Sequence, residues 1–501
     1  MSVATEIQRL QTAKADIKTA IENKGVTVPS TTKLDAYADL VEQIKQGGGQ
    51  VPSMDDDVRF FDYDGELLYS YTKEDFAQLT EMPANPSHEG LTAQGWNWTL
   101  TDAKAYVNKY EILDIGQMYI TDDGKTRLYF DLPKGALDLP LQLQLSTGGS
   151  IIIDWGDGSS LYTTSTSGAI NPTHTYAQEG KYMVAITVNS GTLTGQYNVG
   201  IVPNGNSSIQ AYATSLYKVG LGERFNLSQN MFGNASSNGV FGIETITMPN
   251  GMTTIPNYLF YGCVSLKYIT IPSSVTSVGT IAFQNAQGMK NISLSKTSVL
   301  SQASLYNMTM LQRVSIPETT TLPMIFYTAL SLERVVIPDG VAELPDNFLR
   351  SAHALKKIKI PNSVTTLPSG LLSNTLSLHE FVFPNAITTI PNSFISGARI
   401  REVVIPDTVT TLGDSVFYQC RSLAYVVIGS GVTSIGSACF GTCISLLEVH
   451  MKPTIPPTIE SNSFSSLPST CKIYVPQGTL TAYQTATNWS AFASYMVEET
   501  N

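Results

Sequence analysis

Charge is what this chain has least of: 14% of its 501 residues are Asp, Glu, Lys or Arg, and the balance is acidic, with a formal charge of −11. A chain without a basic footprint is excluded as a general nucleic-acid binder, which must neutralise phosphates. No apolar run approaches the roughly 18 residues of a membrane-spanning helix, so no membrane insertion is expected. The first residues, Met1-Ser2-Val3-Ala4-Thr5-Glu6, carry neither the basic nor the apolar region of a secretory signal, which gives the expectation of a product made, and at first kept, in a cytoplasm. Cysteines are few, five in all, an odd number with no disulfide framework. The five histidines, His88, His174, His353, His379 and His450, form no metal-spaced pair. There is no HExxH, nucleophile elbow or phosphate loop, and Gly124-Lys125-Thr126 lacks the upstream glycine of a Walker loop. The expectation is therefore a non-enzymatic protein with no catalytic residue, metal or cofactor.

What the chain does have is a repeat. Apolar strands end at Met248, Ile271, Leu294, Ile316, Ile337, Ile360, Phe383, Ile405, Ile428 and Met451, at intervals of 21 to 23 residues, usually before a proline. One unit of this length cannot bury its own apolar face, so neighbours must stack into a solenoid. On the non-strand side an aromatic recurs at Phe260, Phe283, Tyr306, Phe326, Phe348, Phe394, Phe417, Phe440 and Phe464, with Leu371 substituting once. A second ladder follows at Leu266, Met289, Leu332, Leu378, Ile400, Leu423 and Leu446. Cys263, Cys420 and Cys443 share one place in three repeats, which suits a small buried hydrophobe better than a metal ligand.

Ahead of the array the pattern changes. Val3, Ile7, Leu10, Ile17 and Ile21 form one stripe of a helix that Gly25 stops, and Leu34, Tyr37, Val41 and Ile44 form the seam of a second. Two such short helices have little core of their own, so residues 1–46 read as an oligomerising anchor rather than a plain helical hairpin. Gly47-Gly48-Gly49 opens a linker over 47–57. From Val58 an alternating run turns at Asp64-Gly65 as a hairpin, and the segment reaches Gly95-Trp96-Asn97-Trp98 with helical stretches near Lys73–Leu79 and Leu100–Asn108. The tryptophans are either core or a sugar-stacking pair. Residues 138–200 contain Ile151-Ile152-Ile153-Asp154-Trp155-Gly156-Asp157-Gly158, then His174-Thr175-Tyr176, then a half-buried strand from Gly180 to Val188. Asp154 and Asp157 are too few for calcium, which takes six to eight oxygens, and read as turn residues.

Four resemblances follow from these residues. Ala15-Asp16-Ile17-Lys18-Thr19-Ala20-Ile21-Glu22-Asn23-Lys24-Gly25 resembles the N-terminal helical segments of phage tail-fibre, baseplate and head-fibre proteins. The 58–136 stretch resembles the small β-grasp repeats of bacterial surface proteins, and 137–204 resembles the PKD family of β-sandwich spacers. The unit Gly262-Cys263-Val264-Ser265-Leu266-Lys267-Tyr268-Ile269-Thr270-Ile271-Pro272, repeated at least nine times, resembles the leucine-rich repeats of the BspA family. It implies a solenoid over 205–501 with a closing strand and capping helix near Ile473–Tyr483. Leu216 to Met248 reads as a first unit swollen by an insertion around Asn230 to Asn238. The fold expected is mostly β and multidomain.

Within each strand Leu266, Ile269 and Ile271 point inward, so Tyr268 and Thr270 face out. Continued along the array, the outward positions gather Arg313, Arg334, Lys356, Lys357 and Lys359 as a basic patch, with a stripe of Val336, Val382, Val404 and Val427 beyond it. Tyr268 and the five basic residues are the candidate ligand contacts, since a basic cluster on an acidic protein can focus an anion. The valines are either ordinary strand residues or an intersubunit stripe. The resemblances imply a phage virion surface fibre, of tail or head, that binds a bacterial surface glycan or protein. It would be a homo-oligomer, with a trimer expected, joined to other virion proteins through residues 1–46. The alternatives are a bacterial cell-surface adhesin and a purely structural virion decoration protein.

Overall fold

A computed structural model describes residues 14, 18, 52–197, 200–203, 210–233 and 241–499. The anchor residues Val3, Ile7, Leu10, Ile17, Ile21, Leu34, Tyr37, Val41 and Ile44 lie outside the described residues, as does most of the Asn230–Asn238 insertion. The chain is mostly β and ends in a leucine-rich-repeat solenoid.

Strands β1 (Val58–Phe61), β2 (Leu67–Tyr71), β3 (Leu91–Trp96) and β4 (Leu113–Thr121) form a first sheet in the order β2-β1-β4-β3. The central β1 and β4 are parallel and the outer pairs antiparallel. Gly65 makes the β1–β2 turn at φ +90°, a conformation open to glycine. Helices α1 (Lys73–Gln78) and α2 (Leu100–Tyr110) are capped by Thr72 and Thr99, whose hydroxyls accept from the Asp75 and Asp102 N–H groups. Phe60, Phe76, Trp96, Ala103, Val107 and Ile115 fill the core between them. Both tryptophans are core: Trp96 Nε1 donates to Pro83 O at 2.8 Å and Trp98 Nε1 to Leu294 O at 2.8 Å.

Nine strands follow: β5 (Thr126–Leu132), β6 (Asp138–Pro140), β7 (Leu143–Leu145), β8 (Ser150–Asp154), β9 (Tyr162–Thr164), β10 (Gly168–Ile170), β11 (Thr173–Thr175), β12 (Gly180–Ser190) and β13 (Leu193–Gly195). They lead to β14 (Leu216–Gly220), β15 (Phe225–Asn226) and β16 (Thr245–Thr247). One sheet runs β16-β14-β5-β12-β8-β9 and another β10-β7-β13-β15, and their apolar sides share a core. The larger sheet begins at β5, inside the 58–136 segment read as the preceding domain. Asp154 Oδ1 accepts from Gly156 N and Asp157 Oδ1 from Ser159 N, both at 3.0 Å, so both aspartates shape the turn after β8.

Strand β14 pairs antiparallel with β5 and parallel with β16, which joins the two-sheet unit to the solenoid without a gap. A single apolar core then extends from Leu128 to Met496. Successive rungs pair in register about 23 residues apart, as in Tyr268↔Asn291 and Tyr425↔Glu448. Short strands line the opposite wall, with Ile390, Leu412, Ile435 and Ile459 in one parallel ladder. Inside, Phe260 and Phe283 stack at 5.3 Å, Phe417 and Phe440 at 5.1 Å, and Phe440 and Phe464 at 5.0 Å. Tyr306 departs from the expected ladder: Leu305 takes the core place and Tyr306 stacks on Tyr327 nearer the surface. All five cysteines are buried and free. The end is closed by Leu480–Thr485, Trp489–Tyr495 and a last strand, Met496–Glu498, parallel to Lys472–Val475.

Candidate functional site

The outward strand face of the solenoid is not uniformly open. The first domain lies on it, its strand β4 over the rungs Tyr268–Thr270, Asn291–Ser293 and Arg313–Ser315. Short side chains make this close approach possible. A Cβ on Gly116 would collide with Thr270 Oγ1 and Tyr268 OH, so glycine is required where β4 crosses Tyr268.

Two of the six proposed ligand contacts are consequently unavailable. Tyr268 is 2% exposed, with its ring 5.1 Å from that of Phe61 and its hydroxyl donating to Ser293 Oγ at 2.7 Å. Burial pushes that phenol well above its ordinary range. Arg313 is 3% exposed; it donates to Asp56 O at 2.6 Å and also to Asp57 O, and its Nε is 3.5 Å from Asp114 Oδ1. Asp114 in turn holds Arg59 through two bonds of 2.8 and 2.7 Å, and Arg59 reaches Asn291 Oδ1 at 3.0 Å. Desolvation pushes the Arg313 guanidinium down to about 9, with Asp114 opposing the shift, so it remains charged at neutral pH. This cluster ties the domains together. Asn97 Nδ2 adds bonds to Ile271 O and Ser293 O, and Tyr106 OH to Ile316 O at 2.6 Å.

The cover ends at the rung Arg334–Val336. Val336 is buried against the first domain, whereas Val382 is 70% and Val404 57% exposed, so the valine stripe is divided by the domain edge; Val427 is buried beside Tyr425. At that edge lies a cleft of about 410 Å³, within the size range of small-ligand sites. Its wall is the end of α2, Lys109 to Ile112, and its floor includes Val335, Val336, Ile358 and Phe381. The strand ladder parts here, because Arg334–Val336 closes one sheet and Lys357–Lys359 opens the next. Arg334, Lys357 and Lys359 thus come together on its rim with Lys109. Lys356 points elsewhere and pairs with Glu333 at 2.6 Å.

Arg334 is 3.5 Å from Asp57, and Lys109 is 2.9 Å from Glu318 and 3.9 Å from Asp339. These are partly exposed pairs, of little individual strength. Glu111 and Asp339 line the cleft together with the four cations, two of which, Arg334 and Lys109, are also paired with Asp57 and Glu318. Lys109, Tyr110, Asn362 and Asn385 were not among the sequence candidates, although Asn362 and Asn385 share one repeat position and occupy equivalent turns, with Asn362 Oδ1 accepting from Asn385 N at 3.1 Å.

The family description of a BspA-type leucine-rich repeat region matches residues 226–325, 323–424 and 410–494, more than half of the sequence. The chain belongs to the BspA-type leucine-rich repeat family. Among solved structures, this BspA-type chain is similar to a leucine-rich cell surface protein of Faecalibacterium prausnitzii, at 20% identity and TM-score 0.35, over 57% of this chain and 82% of that one. A leucine-rich repeat protein of Bacteroides ovatus is similar at 18% identity and TM-score 0.35, over 66% and 91%. The pneumococcal vaccine antigen PcpA is similar at 19% identity and TM-score 0.36, over 57% and 76%. No curated protein matches the chain.

Among the described residues of this BspA-type chain, a superficial candidate for hydrolytic chemistry is the trio Ser159, His174 and Asp157. Both Asp157 Oδ2, at 2.7 Å, and Ser159 Oγ, at 3.5 Å, meet the same nitrogen, His174 Nε2. A nucleophile and its orienting acid must use opposite ring nitrogens, so this trio is a turn clasp. Among the described residues no group of His, Cys, Asp and Glu is suited to a metal ion. What the cleft can do is hold a ligand by charge, carboxamides and apolar contact.

Proposed function

We propose that the chain is a non-catalytic, surface-displayed binding protein that holds its ligand on the uncovered half of the solenoid strand face, from Lys357 to the closing strand. The observation that carries this reading is the division of that face. The first domain buries the rungs up to Arg334 and leaves Val382, Val404 and Tyr425 in water, with the basic cleft at their head. Exposed apolar residues aligned on one rigid face suit repeated weak contacts with an extended partner.

The finer setting we propose is a phage tail or head fibre that recognises a bacterial surface glycan or protein. The segment 1–46 would serve as the trimeric anchor to other virion proteins, and the 137–204 unit as a PKD-like spacer. The resemblance of residues 15–25 to phage fibre segments supports this. Display on a bacterial cell is the second reading, supported by the exported adhesins that the BspA resemblance implies. In the test, fluorescent full-length protein is bound to a panel of bacterial cells and compared with a Val382→Glu, Val404→Glu variant. Binding lost by the variant supports the proposal; undiminished binding overturns it.

A further inference from the structure

We infer that the cleft between α2 and the parted strands is a subsite for an acidic sugar that also carries an acyl group, such as an N-acetylated sugar acid. This deepens the proposed binding role and rests on it. Three features of the cleft select the ligand.

The first is charge. Arg334, Lys357, Lys359 and Lys109 converge on one cleft of a chain whose net charge is −11. The long-range field of such a chain repels polyanions, so the cleft favours a ligand with sparse carboxylates reached at short range. Lys359 is exposed and has no ion pair among the described residues, and Lys357 stands two residues away on the same face. A carboxylate between them and Arg334 gains charge-assisted hydrogen bonds.

The second feature is the floor. Because the ladder parts between Val336 and Lys357, the inward side chains Val335, Ile358 and Phe381 contribute to the cleft surface. A pyranose offers only the C–H groups of its ring face to them, whereas an acetyl group adds a methyl that can be buried there. Beyond the floor Asn362 and Asn385, both exposed, offer carboxamides whose donors and acceptors suit sugar hydroxyls.

The third feature excludes an acidic peptide bound as an added strand. Arg334–Val336 and Lys357–Lys359 approach within 8 Å. An inserted strand needs roughly 9.5 Å, twice the usual strand spacing.

The test is calorimetric titration of the full-length chain with five probes at one salt concentration. They are an N-acetylneuraminyl-lactose trisaccharide with a single carboxylate, an N-acetylmuramate-containing disaccharide, an N-acetylglucosamine oligomer, a galacturonate oligomer and hexaglutamate. The first two carry both acid and acetyl groups and come from different sources, so their ratio distinguishes a sialylated surface from a cell-wall fragment. Binding of at least one of them is expected, weakened at least about tenfold by Lys357→Gln with Lys359→Gln and by Val382→Glu. Lys134→Gln, exposed on the two-sheet unit and away from the solenoid strand face, should leave it unchanged. Equal or tighter binding of hexaglutamate, or of a sugar lacking either group, overturns the inference. So does binding by none, or binding insensitive to the cleft variants. If the inference fails while cell binding remains sensitive to Val404→Glu, the general binding role stands and only the ligand class falls.

Discussion

Asp114 sits between two guanidinium groups, with Arg59, Asp114 and Arg313 all within 3% of complete burial. Three charges out of water are tolerable only while each has its partners, and here Met54, Asp56 and Asp57 supply carbonyls as well. Replacing Asp114 with Asn removes the lone negative charge of the cluster and is expected to cost about 3–5 kcal/mol in urea unfolding; a cost below 1 kcal/mol would refute the buried cluster. Gly116→Val drives a branched side chain into Thr270 and Tyr268 and should cost about 1–3 kcal/mol by the same measurement. Asp157 behaves differently because it is a surface clasp. Hydrogen bonds from Ser159, then from His174, hold its carboxyl down to about 2, below the roughly 3.9 of an unfolded Asp. The folded state therefore binds fewer protons, and this contribution is complete above about pH 4 and lost as pH falls towards 2. Asp157→Asn should flatten that part of the stability profile, read from thermal unfolding at pH 2 to 5; an unchanged profile would refute the clasp.

At the scale of elements, the repeat transmits order from rung to rung through its stacked aromatics. Phe440 lies between Phe417 and Phe464, so Phe440→Ala opens a cavity in two stacks at once and should cost about 3–5 kcal/mol, measured by denaturant titration. These ladders were legible in the sequence because a 23-residue period repeats one environment. The same reasoning missed Leu305, since the aromatic at 306 satisfied the spacing while its neighbour went inward. It also missed the domain cover. Alternation places Tyr268 and Arg313 on the outer side of the strands, and they are there, but no spacing within a repeat reveals that another domain occupies that side. A signal did exist: the short Thr270, Ser293 and Ser315 among the covered rungs let β4 approach, whereas the exposed rung carries Lys357 and Lys359. The cleft combines residues more than 220 positions apart, such as Lys109 and Arg334, and only tertiary structure brings them together.

For the whole molecule, the consequence is a solenoid whose strand face is already partly covered. Its N-terminal sheet, two-sheet unit and solenoid are linked by a shared strand ladder and a buried interface, so the free strand face keeps a fixed orientation. A fixed face gains from being presented in several copies. If residues 1–46 assemble the chain, light scattering should report a trimer for the full length and a monomer for residues 47–501; a monomer in both cases would contradict the anchor. The most direct test of the central claim is the binding of intact fluorescent protein to bacterial envelopes, measured alongside Val404→Glu and Lys472→Gln with Val497→Glu. Loss of binding by substitutions on the uncovered rungs, with the thermal unfolding of each variant unchanged, is the predicted result. Full binding by both variants would contradict the claim that this face holds the ligand.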